Sequence, residues 1–121
     1  MHCRMFGGQA KPGKMSAVLQ VVSEQSEKVK TIPGFLFAQV LQNGDEMLVV
    51  SSWRTERDVR AYMHSALAQE TLTRLNPLLV CAPTVKTFPI HLSQVSQDEE
   101  SFEDLFVQCC NDEEADQPVL I

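Results

Sequence analysis

Apolar positions in this chain change their period several times, and each change marks an element. From Met15 they recur at Val18, Leu19 and Val22, with Val29 continuing the series, which is the spacing of one helix face. Glu24, Gln25, Ser26, Glu27 and Lys28 read as the wet face of that helix. Thr31-Ile32-Pro33-Gly34 ends it, since proline disfavours the helical conformation in the residue before it and glycine lets the chain reverse. Two β-rich runs follow, Phe35 to Leu41 and Met47 to Trp53, on either side of Asn43-Gly44-Asp45. This predicts a hairpin in which Asn43 and Gly44 take the positive φ of a tight turn. Thr55 then caps a second helix, with the Asp58 carboxylate three residues on to answer it. That helix buries a stripe of Val59, Tyr62, Met63 and Ala66, and a break near Ser65 precedes Leu67, Leu72 and Leu75.

Two further strands complete the pattern. His2 to Gly8 alternates weakly and ends in Gly7-Gly8, and Thr84 to Leu92 mixes apolar and polar positions around Pro89. Proline cannot donate to a sheet ladder, so this last run belongs at a sheet edge or a bulge. The order β-α-β-β-α-β predicts an α+β, ferredoxin-like sandwich with an antiparallel sheet. Within it Phe35 and Phe37 alternate against Leu36 and Ala38, which makes both sheet faces apolar and predicts a homodimer that covers the second face.

Length and charge refine this picture. The chain has 121 residues and 44% hydrophobic positions, enough for one core and an appendage. No apolar run approaches the roughly 20 residues needed to cross a bilayer, and the N-terminus lacks the apolar segment of a secretory signal; a cytoplasmic protein is expected. Cys3, Cys81, Cys109 and Cys110 form no CxxC pair and read as reduced thiols. The net charge of -6 is unevenly spread: nine of the 16 acids follow residue 93, whereas all ten Lys and Arg precede it. Residues 1–93 are therefore read as the domain and residues 94–121 as an acidic extension. Phe102, Leu105, Phe106 and Cys109 fall on one stripe, so a short helix over residues 100–110 is expected to dock on the body of the same or the partner subunit, with residues 111–117 mobile. No metal spacing, phosphate-cradling glycine loop or basic aromatic face is present. Metal, nucleotide and nucleic-acid chemistry are accordingly not expected.

Pro33-Gly34-Phe35, the strand Met47-Leu48-Val49-Val50-Ser51-Ser52-Trp53 with its capped helix, Leu75-Asn76-Pro77-Leu78 and Thr84-Val85-Lys86-Thr87-Phe88 resemble the antibiotic biosynthesis monooxygenase family of dimeric α+β barrels over residues 2 to 92. The resemblance implies two ferredoxin-like halves paired through their sheets, each with a pocket between sheet and helices. It also implies oxidation of a small aromatic, phenolic or quinol molecule by O₂ without metal or flavin, or else a relative that binds such a molecule, or acts as a scaffold with a partner-binding tail, without catalysis. The haem-opening branch of the family uses an Asn, a Trp and a His. Here Phe6 stands at or near the Asn position, Tyr62 at the Trp position and Leu72 at the His position, so degradation of haem is not expected, since Leu72 cannot ligate iron. The quinol-oxidising branch carries a His where Tyr62 stands; His64 lies two residues away, about 200° around a continuous helix.

Cofactor-free oxygenation requires a substrate that becomes electron-rich on losing a proton, a group to receive that proton and a dry pocket. Two residues are the catalytic candidates. Tyr62 reads as a core aromatic or as a hydrogen-bond donor to a substrate oxygen. His64 reads as an exposed or interface residue or as a general base. Arg4, Phe6, Trp53 and Met63 are the substrate-binding candidates, with Trp53 also a plug at the end of its strand. Alternation places His2, Arg4 and Phe6 on one strand face. Arg4 then meets an anion or enolate if that face lies under the helices, or an acid across the dimer if it does not.

Overall fold

The computed structural model describes residues 1–96, and the folded unit is Met1–Ile90. The expected helix and docking of residues 100–110, and Cys109 and Cys110, lie outside the described residues. Four strands, β1 (His2–Gln9), β2 (Phe35–Asn43), β3 (Glu46–Trp53) and β4 (Thr84–Pro89), form one sheet in the order β2-β3-β1-β4. Every pairing is antiparallel. Helices α1 (Met15–Val29), α2 (Glu56–Met63) and α3 (Ala66–Leu75), with a 3₁₀ turn at Asn76–Leu78, complete a ferredoxin-like α+β fold. No helix among the described residues is long and apolar enough to cross a membrane. Cys3 and Cys81 are free thiols.

β3 carries the organising alternation. Met47, Val49, Ser51 and Trp53 are all buried and face the helices, as period-two geometry requires. Their register partners on β1 include Phe6 opposite Val49 and Arg4 opposite Ser51. The helix-facing core falls into two clusters. One gathers Phe6, Ala10, Met15, Val18, Val21, Val22, Met47, Val49, Leu75 and Leu79; the other gathers Val29, Trp53, Val59 and Tyr62, with Phe35, Met63 and Leu67 packed against it. β4, with Pro89 as its last residue, is an edge strand paired only to β1. It stops three residues short of the expected Leu92.

The structure corrects three local readings. The hairpin turn is Gly44-Asp45 between Asn43 and Glu46, and only Gly44, at φ +61°, has positive φ. That is the pattern of a turn with glycine at its first central position, not one in which Asn43 also turns over. β2 has nine residues against eight in β3, and a bulge between Phe35 and Phe37 takes up the difference. In consequence Phe35 and Ala38, opposite Trp53 and Ser51, share the helix side, while Phe37 sits in register with Ser52; the expected alternation of 35 and 37 against 36 and 38 does not hold. Third, the second helix ends at Met63, and Ser65 caps α3 by accepting from the Ala68 N–H at 3.2 Å. Ala66 therefore begins a new helix and is exposed rather than continuing the stripe.

The α2 cap forms as expected and is tied to the preceding turn. Thr55 Oγ1 accepts from the Asp58 N–H at 3.1 Å and donates to Asp58 Oδ2 at 2.8 Å. Gly34, at φ +86°, lies so close that a Cβ there would sit 2.2 Å from Asp58 Cγ. Its carbonyl accepts from the Arg54 N–H at 2.8 Å. Gly34→Ala thus combines a left-handed backbone cost of about 1–2 kcal/mol with loss of a cap valued at about 0.5–2 kcal/mol. At Gly44 nothing lies within 4 Å of the added Cβ, which leaves the backbone cost alone. Urea unfolding is expected to show Gly34→Ala losing roughly 2–3 kcal/mol and Gly44→Ala about 1 kcal/mol; equal losses would show that the cap does not depend on Gly34.

Candidate functional site

Between the two core clusters lies a cleft lined from both sides: Phe6, Val22, Val49 and Leu75 from one, Val29, Trp53 and Tyr62 from the other. Its empty space is about 500 Å³ counting the part open to solvent. Apolar side chains form most of the wall. The polar interruptions are Arg4, Gln25, Ser51, Tyr62 and Thr71.

Several of these polar groups are committed to the fold. Ser51 Oγ accepts from Trp53 Nε1 at 3.0 Å and donates to the Arg4 carbonyl at 3.5 Å. Thr71 Oγ1 donates to the Leu67 carbonyl at 2.8 Å. Gln25 Nε2 donates to the Tyr62 hydroxyl oxygen, which leaves the Tyr62 O–H hydrogen free to be donated in turn.

Arg4 is different. The face it shares with Phe6 lies under the helices, which resolves the two alternatives left by the sequence in favour of the cleft. Its guanidinium carbon sits 5.2 Å from the Phe6 ring centre and 5.3 Å from that of Tyr62, within range of cation–π attraction to both rings. Its Nε is buried and has no hydrogen-bond acceptor, although buried polar groups are rarely left so. Burial lowers the Arg4 pKa, and the nearby Tyr62 works in the opposite direction. Arginine nonetheless stays charged throughout the physiological range. Burial raises the Tyr62 pKa, partly offset by the Arg4 charge and the Gln25 hydrogen bond, so at neutral pH Tyr62 is a phenol able to donate and not a phenolate able to accept a proton.

The sequence-derived candidates separate by position. Arg4, Phe6, Trp53 and Tyr62 line the cleft together. Trp53 is fully buried, stacked on Tyr62 with ring centres 5.0 Å apart and edge-on to Phe35 at 5.4 Å. Met63 packs against the Trp53 cluster and is not among the cleft-lining residues. His64 is exposed at the C-terminal end of α2 and is not among the cleft residues. The polarity of Gln25 places it on the wet face of α1, yet it lines the cleft. The sequence carries a signal for this, since Met15, Val18, Val22, Gln25 and Val29 follow one three-then-four series with a polar member in it.

Arg4→Met should separate folding from binding. Removing a buried donor with no partner relieves a penalty of about 1–3 kcal/mol, against lost cation–π contacts of roughly 0.5–2 kcal/mol. The variant is therefore expected to unfold at an equal or higher denaturant concentration than the parent. A loss of more than about 2 kcal/mol, the cost expected when a buried charge loses a good partner, would instead make Arg4 a structural residue.

Comparison with known proteins bears on the same residues. The profile of the antibiotic biosynthesis monooxygenase family matches residues 1–74. Among solved structures, a Nitrosomonas europaea protein bearing that family name superposes with a TM-score of 0.70 at 14% identity, covering 76% of this chain and 100% of its own. A Deinococcus radiodurans protein bearing the same name gives 0.73 at 11% identity, covering 81% and 100%. Rv0793 from Mycobacterium tuberculosis gives 0.70 at 13% identity, covering 78% and 98%. At such identities these likenesses speak to fold. No curated protein matches the chain significantly.

Proposed function

The chain belongs to the antibiotic biosynthesis monooxygenase family, and on that premise we propose that it binds a small phenolic or quinol molecule in the cleft and oxidises it with O₂. The carrying observation is the Arg4 guanidinium lining a mostly apolar cleft, set over the Phe6 and Tyr62 rings and with its Nε unpartnered. An electron-rich ring needs apolar walls for its body and a donor for its oxygen. For a phenol the overall change takes one O₂ to a quinone and one water. One oxygen atom bonds a ring carbon that gives up its hydrogen, the other leaves as water, and the four electrons come from the ring. Arg4 and Tyr62 hold the substrate oxygen, Phe6 and Trp53 wall the ring, and Met63 supports Trp53 from behind. No metal or flavin enters this proposal.

A second reading, binding without oxidation, is favoured by the exposed position of His64, which leaves no imidazole in the cleft lining. Oxygen uptake with 1,4-dihydroxynaphthalene, measured above its spontaneous oxidation, decides between the two. Protein-dependent uptake is expected to fall about a hundredfold in Arg4→Met. Uptake no faster than the protein-free background, with binding retained, would leave the second reading.

The proposal includes a cytoplasmic homodimer. Free Cys3 and Cys81 suit a reducing compartment. Support for pairing comes from the sheet face away from the helices, where the register sets Met5, Val50 and Gln39 in one row and Gly7, Leu48 and Leu41 in the next. Phe88 on β4, in register with Cys3, is 46% exposed. Such a face needs a cover that the helices do not provide. Light scattering at micromolar concentration is expected to give twice the chain mass; a stable monomer would rule the dimer out.

A further inference from the structure

Resting on the reading of the cleft as an aromatic-binding site, we infer that its ligand is bound ionised, as a phenolate or enolate whose single oxygen is received by the Arg4 guanidinium and the Tyr62 hydroxyl, with no described residue of the cleft serving as its base. Among the described residues the charged or titratable side chains lining the cleft are Arg4 from β1 and Tyr62 from α2. The other polar members, Gln25, Ser51 and Thr71, take no proton in the physiological range. Glu24, the acid next to Gln25, is paired with Arg74 at 2.7 Å and is not one of the lining residues. Among the described residues a neutral phenol entering this cleft therefore meets no carboxylate or imidazole to take its proton.

What it meets instead is a pair of donors. Tyr62 has its oxygen already accepting from Gln25 and keeps its O–H to donate, and the Arg4 guanidinium has only N–H donors. Two donors, one of them carried by a fixed cation, between mostly apolar walls suit an oxygen that carries charge and has no hydrogen of its own. The acceptors in the lining are neutral oxygens of Gln25, Ser51 and Thr71, which can hydrogen-bond a neutral hydroxyl but do not give it the attraction that the Arg4 charge gives an anion. The ligands selected are thus phenols or enols bound as their anions, the site drawing that form from solution and lowering the pH at which the bound molecule ionises.

The test uses 4-nitrophenol, whose phenolate absorbs in the visible, with nitrobenzene as its uncharged ring match and benzoate as a carboxylate. Quenching of the one tryptophan, Trp53, reports binding of all three. The expected result is that bound 4-nitrophenol ionises at a pH at least about one unit below the free molecule, that it outcompetes benzoate, and that nitrobenzene binds at least tenfold more weakly. Arg4→Met should abolish the ionisation shift, and so should Arg4→Gln, which retains a donor but no charge. A shift that survives in both folded variants overturns the inference. So does equal binding of nitrobenzene and 4-nitrophenol with no shift, although the cleft would then still stand as an aromatic site. Tighter binding of benzoate assigns the oxyanion to a carboxylate and overturns the phenolate. Failure of all three to bind removes the aromatic-site reading together with the inference.

Discussion

Trp53 has its indole N–H committed to Ser51 two residues back on the same strand, one ring face stacked on Tyr62 of α2, and its edge region met by Phe35 at the start of β2. Three consecutive elements, β2, β3 and α2, are held together by one side chain with no exposed surface. Removing an aromatic so placed costs about 3–5 kcal/mol, a large part of the stability of any domain this size. The buried Ser51 hydroxyl has the same logic, since it gives the indole an acceptor where the apolar neighbours offer none. With Trp53 fixed, the Tyr62 ring is fixed, and with it the wall against which Arg4 rests.

The core is divided because a cation lies at its seam. Phe6 and Tyr62, one from each cluster, present ring faces to the Arg4 guanidinium. A continuous apolar core would close the seam with a leucine or methionine of similar volume and be no less stable for it. Retaining a charged group whose Nε has no partner is a local conflict of the kind that concentrates where a protein works on something else. The fold carries the conflict because both clusters are complete on their own sides.

Much of the architecture was legible because it rests on local rules. The Thr55 cap, the Pro33-Gly34 reversal, the break at Ser65 and the edge position of β4 each follow from one or two residues whose backbone chemistry allows little else. The site was legible in part. Strand alternation put Arg4 and Phe6 on a common face but could not say which face, since that depends on which side of the sheet the helices choose. Gln25 was hidden by its polarity, because a glutamine inside an apolar series looks like a wet position until its partner, Tyr62 in a helix 37 residues away in sequence, is brought opposite. The bulge in β2 was not legible from the residues themselves. Phe35 to Ala38 are apolar without alternation, and such a run sets no register of its own.

The bulge can be viewed as a matter of counting. β2 is pinned at one end by the Gly34 turn and at the other by the Gly44 turn, and between those pins it has nine residues to set against eight. Leu36 is the remainder. Upstream of it odd-numbered positions face the helices, and downstream even-numbered ones do, so the strand changes parity once and then keeps step with β3 to the turn. A strand built this way draws its register from its two ends, as a rope does when tied at both, and the slack is confined to one place. A change of chain length in β2 is thus absorbed at that one place, before it reaches either turn or the Trp53 wall.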